Sequence, residues 1–496
     1  MNILNSRASG ILMHISSLPS EGGIGTLGSA AYSFVDSLKK AHQTYWQILP
    51  ICPTSYGDSP YQSFSTYAGN PYFIDLELLE KEGYLSPSDW RNIVWCSDEK
   101  SVDYGLLYTE RYKVFRIVQN QFEKNPPVDF DTFCKENAFW LEDYALFMAI
   151  KDAHGGETFL NWEDDIRLRK SQALTAWKKR CEKEIRFYKM LQYLFFAQWK
   201  NLKDYANKNG IKIIGDIPIY VSSDSADVWA SPNIFYLNEN GYPIEVAGCP
   251  PDGFAADGQL WGNPVYNWTS LRAQNYRWWL VRLSHSFKIY DVLRIDHFRG
   301  FESYYCIPYG DRTARNGVWK KGPGIELFNL LKEQNGDMSV IAEDLGFLTR
   351  EVHEMRKTSG FPGMKVLQFA FDSREENDYL PEHYEENSVV YTGTHDNDTL
   401  IGWTEGSRPE DVETALKYFG IEDRKRLPRC MMKAALDSVS NTCILTMQDV
   451  LELDGSARMN TPSTLGSNWK WRATEKELSN ADWNFLREET DRAGRY

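Results

Sequence analysis

Eight short, mostly apolar runs recur along the chain, each closing on a polar or turn-forming residue. They fall at 11–16, 45–51, 211–217, 291–296, 340–343, 365–371, 388–394 and 443–448. The apolar residues are largely continuous, as in strands buried on both faces of a parallel sheet. Most runs lead through a loop into a helical pattern. The clearest is Leu191, Leu194, Phe195, Trp199 and Leu202, one apolar helix face that stops at Gly210 before the third strand. Eight strand–helix units predict an α/β fold, a closed (β/α)₈ TIM barrel.

The spacing is uneven. About 160 residues separate the second run from the third and about 75 separate the third from the fourth, too many for single crossovers. The reading is one catalytic barrel domain over 1–496, with a helical subdomain at 75–173 inserted after strand 2. A second insertion, 220–290, follows strand 3 and carries the Gly/Pro-rich stretch 248–264 (GCPPDGFAADGQLWGNP), which reads as a loop too long for a mere connector. Insertions after barrel strands land on the catalytic face. About 45 residues follow the eighth run, enough for closing helices but not for a C-terminal β-sandwich.

Three strand exits present carboxylates: Asp296 in VLRIDHFRG, Glu343 in VIAEDLG and Asp396 in VVYTGTHDND. Acids there have no packing purpose, and strand-end polar groups in such barrels form active sites. Side-chain alternation puts Arg294 on the same face as Asp296, where a guanidinium favours the ionised form that a nucleophile needs. An ion pair of Arg294 with Asp216, at the end of the third strand, is the alternative, and one arginine can serve both. Glu343 follows an apolar run, and desolvation would raise its pKa toward that of a general acid. Two carboxylates in opposed environments are the machinery of glycoside cleavage. Asp396 and His395 are then placed to hold sugar hydroxyls. His14 and His297 are weaker candidates, since each could satisfy a neighbouring backbone group.

Composition narrows the partners. A net charge of −14 over 496 residues disfavours nucleic acid and anionic membranes. Aromatic residues make up 14% of the chain and many lie in Gly/Pro-rich loops, where Trp and Tyr can stack on sugars. Eight dispersed cysteines with no C-x-x-C pair fit a reducing compartment, and neither a signal segment nor a membrane-spanning run is read, so a cytoplasmic protein is expected. No H-x-x-x-H pair or calcium loop is present, and no metal or cofactor is expected.

The strings SSLPSEGGIGTLG (16–28), DSPYQSFSTYAGNPYFIDL (58–76), GDIPIYVSSDSADVW (215–229), 248–264, RIDHFRGF (294–301), IAEDLG (341–346) and GTHDNDT (393–399) resemble the 4-α-glucanotransferase family. This is the amylomaltase or disproportionating-enzyme family, related to the α-amylases. The resemblance runs over nearly the whole chain in order. It implies a retaining α-1,4-glucan transferase on an enlarged barrel, with an α-1,4-glucan donor and a glucan or glucose acceptor. By motif, Asp296 resembles the nucleophile, Glu343 the general acid/base and Asp396 the transition-state stabiliser, supported by Arg294 and His395. Tyr61 resembles a stacking residue beside the cleaved bond, and Gln259 and Trp261 resemble acceptor contacts on a mobile loop, with Tyr56 nearby and Asp372 a further sugar contact. Two rivals remain: an α-glucan hydrolase using the same acids, and a non-catalytic glucan-binding protein.

Overall fold

The computed structural model describes residues 3–55, 57–251, 256–346, 348–374 and 378–496. Eight parallel strands close a barrel: β1 (Ala8–Leu12), β2 (Tyr45–Gln47), β3 (Lys212–Pro218), β4 (Val292–Asp296), β5 (Val340–Ala342), β6 (Gly363–Val366), β7 (Ser388–Tyr391) and β8 (Thr442–Thr446). Each pairs with its neighbours in the chain, and β8 closes on β1. Nearly every strand residue is buried, which is why the strands read as continuous apolar runs.

Three strands begin earlier than their apolar runs, β8 by one residue, at Thr442. β1 starts at Ala8, where Ser9 and Gly10 weaken the hydrophobic signal. A Cβ on Gly10 would lie 2.4 Å from the Tyr45 Cβ and carbonyl oxygen, so close approach of β1 to β2 requires glycine. β6 starts at Gly363, and Leu367–Phe371, expected as its continuation, is a 3₁₀-helix.

Between β2 and β3 the chain forms mostly helices, including Leu76–Lys81, Tyr112–Phe122, Phe130–Glu136, Ala138–Ala153 and Ser171–Arg180. The predicted apolar stripe belongs to the long helix Glu182–Lys208, whose Leu191, Leu194, Phe195, Trp199 and Leu202 are all buried. Two glutamines of this helix grip the 58–76 segment by its peptide groups. Gln192 accepts from Gly69 N–H at 2.7 Å and donates to Gly69 O at 2.9 Å, and Gln198 does the same at Asp75, at 2.7 and 3.2 Å. Each amide satisfies one buried donor and one buried acceptor.

Both ends of the 248–264 stretch are strand, and 252–255 lie outside the described residues. Glu245–Cys249 and Gln259–Pro264 are the arms of an antiparallel hairpin, joined across Ser303–Pro308 to Val318–Lys321 in a four-stranded sheet. Its partner strands lie beyond β4, so no local pattern announces it. After β8 come the helices Met447–Val450, Glu475–Asn480 and Trp483–Arg492, with no β-sandwich among the described residues.

Candidate active site

Strand register assembles the site. Asp216 on β3 lies level with Arg294 on β4, and Ile295 lies level with Ala342 on β5. The next residue on each of the latter two strands is Asp296 and Glu343, so the two acids leave the barrel side by side.

Arg294 bridges two carboxylates: its Nη1 lies 2.6 Å from Asp216 Oδ2 and 3.0 Å from Asp296 Oδ1. Asp216 is fully buried and Arg294 nearly so, whereas the Asp296 side chain is 31% exposed and open to a ligand. Burial pushes the Asp216 carboxyl up to about 6, against the pull of Arg294. The same two acids overcome the guanidinium's own desolvation and hold its pKa well above the ordinary value. Asp216 Oδ2 also accepts the Tyr61 hydroxyl at 2.8 Å. Tyr61 is thereby fixed over the floor of the site, with its ring stacked on His395 at 5.0 Å.

Glu343 is held differently. Its two oxygens accept separate backbone N–H groups, from His297 at 2.7 Å and Leu345 at 2.8 Å. Burial and then the charge of Asp296 raise its pKa from 4.5 to about 7, while Arg294 and the two N–H bonds oppose the rise. His297, the donor, has the left-handed φ of 54°, which turns the chain sharply after Asp296 and aims its N–H back at β5. Its imidazole is pushed down to about 4 by burial, and Nε2 has no hydrogen-bond partner among the described residues.

The third acid stands opposite on the β7 exit. Asp396 Oδ1 accepts from Asn460 Nδ2 at 2.6 Å and lies 3.4 Å from His395 Nε2, and the side chain is 47% exposed. His395 Nδ1 is 3.3 Å from the Tyr61 hydroxyl. Arg458 Nη2 donates to the Asp396 carbonyl at 2.6 Å, and Trp469 packs on both Tyr61 and His395 at 5.8 Å. Asn460, Arg458 and Trp469 come from the segment after β8, and sequence reading missed them. Their only signal there was polar and aromatic residues in a stretch without helical periodicity.

On the hairpin, Trp261 meets His297 edge to face at 4.9 Å and Tyr220 at 6.2 Å, and its Nε1 donates to Gln259 Oε1 at 3.0 Å. The hairpin wall therefore leans on the turn that follows Asp296. Asp372 is paired with Arg374, which holds its carboxyl down at about 2, and no hydrogen bond or ion pair links it to the three acids among the described residues. Tyr56 lies outside the described residues. His14 sits below the site, with Nδ1 accepting Leu49 N–H and burial pushing its pKa to about 3, the behaviour of a structural imidazole.

The arrangement offers a carboxylate paired with a guanidinium, a carboxyl whose pKa is raised toward neutrality, and a third acid within an aromatic-walled cleft. The sequence profile described as 4-alpha-glucanotransferase matches residues 13–478. A 4-alpha-glucanotransferase of Clostridium butyricum is 51% identical over 471 residues, 94% of this chain and 96% of that protein. One from Thermus thermophilus is 46% identical over 484 residues, 95% and 96% of the two chains. Among solved structures, amylomaltase from Streptococcus agalactiae in complex with acarbose superposes with a TM-score of 0.96 at 42% identity, covering 99% of both chains. The chain belongs to the 4-α-glucanotransferase family.

Proposed function

We propose that this site moves an α-1,4-glucan segment from a donor to the 4-hydroxyl of another glucan or of glucose by two displacements. Asp296 attacks the anomeric carbon while Glu343, protonated, gives its proton to the departing glycosidic oxygen. The glycosyl ester on Asp296 is then attacked by the acceptor hydroxyl, whose proton returns to Glu343. Asp396 and His395 hold sugar hydroxyls, Tyr61 stacks on the ring beside the cleaved bond, and Gln259 and Trp261 receive the acceptor.

The observation that carries this reading is the side-by-side exit of Asp296, held by Arg294, and Glu343, held by two backbone N–H groups, which places the two acids within each other's field. In the free enzyme the Asp296 charge is the second cause raising the Glu343 pKa to about 7, which keeps a proton available near neutrality. Once Asp296 is esterified that charge is gone, so the Glu343 pKa falls and the residue becomes the base that the second step requires. One pair thus reverses its own roles. Segments 75–173 and 220–290 act as walls of the cleft. No helix of the described residues is long and apolar enough to cross a membrane, and eight free cysteines support a reducing, cytoplasmic setting.

Incubation with maltotriose tests the reading. Longer maltooligosaccharides together with glucose are expected. Shortening alone would indicate hydrolysis, and unchanged maltotriose would indicate a binding protein.

A further inference from the structure

A second concave site lies outside the carboxylate cluster, between the helix Ala138–Ala153, the turn after the short helix Ala226–Ala230 and the helix Arg277–Ile289. Its cavity is about 300 Å³, at the small end of the range for small-molecule sites. Three aromatic rings form a corner in it. Tyr67 meets Phe139 edge to face at 5.6 Å and Trp278 at 6.4 Å, and Phe139 remains 53% exposed although a large apolar side chain. Around the rings stand Asp143, whose carboxylate accepts hydrogen bonds, and Asn233 and Gln274, whose amides accept and donate them.

The charge pattern selects among ligands. A phosphate would face the carboxylates of Asp143 and Asp227 with Arg277 as the only cationic lining residue among the described residues. A metal ion lacks a donor set, since no group of three or more His, Cys, Asp or Glu is arranged to hold one among the described residues. Asp143 is already paired with Arg169 at 2.7 Å, and Asp227 accepts Thr66 N–H at 2.8 Å, so neither calls for a cation. What fits is a neutral molecule with flat apolar faces and many hydroxyls.

We infer that this pocket is an auxiliary site for a short α-1,4-glucan segment, separate from the cleft that holds the three acids. The identity of the glucan rests on the proposed function; the pocket and its preference for a neutral sugar rest on its own lining. The sugar faces pack on Phe139 and Trp278, and hydroxyls bond to Asp143, Asn233 and Gln274. The pocket is tied to the main cleft through one segment: Tyr67 lines it, and Tyr61 of the same 58–76 stretch stands over Asp216.

The test is calorimetric titration of the full chain carrying Asp296→Asn with maltotriose, which this variant is expected to bind without turnover. Two maltotriose per chain are expected. Adding Phe139→Ala is expected to weaken one of the two events by about tenfold or more, equivalent to ~1.4 kcal/mol, and leave the other unchanged. Asn233→Ala with Gln274→Ala gives a second disruption that removes no packed ring. A single event, or two events that neither disruption alters, would overturn the inference. Equal binding of cellotriose at the second event would also overturn it, by removing the preference for α-glucan. Failure of the main reading is read separately: Asp296→Asn protein that still disproportionates maltotriose would sink the assigned nucleophile, whatever the pocket binds. With Asp296 restored, Phe139→Ala is expected to disproportionate maltotriose at the parent rate.

Discussion

The floor of the cleft and its hairpin wall solve the same positioning problem with different materials. On the floor, Asp216, Arg294, Asp296 and Glu343 leave adjacent strands of a closed barrel, and every one is held by an ion pair or backbone N–H within 3.0 Å. On the wall, Gln259 and Trp261 sit half-exposed on the edge strand of the four-stranded sheet, bonded to each other, and Trp261 meets His297 by ring contact. Rigid charge placement suits chemistry, where a small displacement costs rate. A half-exposed aromatic arm suits ligands that must enter and leave. The comparison predicts that substitutions on the floor remove reaction or stability, whereas those on the wall change which acceptor wins.

The largest break is at the two acids. Asp296→Asn and Glu343→Gln are each expected to lower transfer by about 10³-fold or more, because each removes a group acting in covalent or proton-transfer chemistry. Circular dichroism is expected to stay near the parent, since neither side chain fills the core. A glucosyl fluoride donor separates the roles, because fluoride leaves with little protonation. Glu343→Gln is expected to accumulate the glycosyl ester, seen by mass spectrometry, and Asp296→Asn is not. Equal labelling of both variants would reverse the assignment.

Next comes the ion-pair bridge. Arg294→Met leaves the fully buried Asp216 carboxyl without its cation, and losing one partner of a buried pair costs about 3–5 kcal/mol. The loss is expected at pH 8 and is expected to shrink at pH 5, where Asp216, already pushed up to about 6, takes a proton. Denaturant melts at the two pH values check this. An equal loss at both would mean that packing of the arginine, and not charge, carries the effect. Asp216→Asn is the milder control because its amide oxygen can still accept the Tyr61 hydroxyl.

The same contrast governs what could be read from sequence. The floor was legible because a buried strand leaves a run such as Val340–Ala342 with no polar residue, so an acid directly after it stands out. Arg294 and Asp296 were legible as a pair because the alternation of a strand fixes which side chains share a face. Gly248, Gly258 and Gly262 make the wall look like linker, yet its described ends are strands. In fact Gly258 and Gly262 take φ of +67° and +77°, and Gly248 lets the arms close, since a Cβ there would meet Gln259 O at 2.1 Å. Asn460, which grips Asp396, was not legible at all, because its proximity depends on closure of the barrel, a contact that local patterns do not encode.

A pH profile sharpens the floor further. With Glu343 at about 7 in the free protein, kcat/KM is expected to fall about tenfold per unit at higher pH, as the acid loses its proton. Stability moves in the same sense. A carboxyl raised from 4.5 on folding contributes stability that is full below the unfolded pKa and is lost as pH rises through about 7. Glu343→Gln is therefore expected to be more stable than the parent at pH 8 by about 1–3 kcal/mol, with the difference vanishing near pH 4. A parent profile flat from pH 6 to 9 would remove Glu343 as the proton donor.

The smallest effect is expected on the wall, and it decides why sugar beats water. Water is far more concentrated than any acceptor, so transfer wins only if the acceptor is bound beside the ester and productive water is restricted. Trp261 supplies an apolar face against the turn after Asp296, and its indole also orients the Gln259 amide. Trp261→Ala removes both, at a cost of about 1 kcal/mol in acceptor binding. Donor cleavage depends on Asp296 and Glu343, which this substitution does not touch. The ratio of transferred to hydrolysed glucosyl units at fixed maltotriose is therefore expected to drop several-fold, while the release of the first leaving group changes little. Gln259→Ala, which leaves the ring but frees its N–H, is expected to lower the ratio less. If Trp261→Ala slows cleavage and transfer equally, the hairpin acts through His297 on the placement of Glu343. The wall would then be part of the floor.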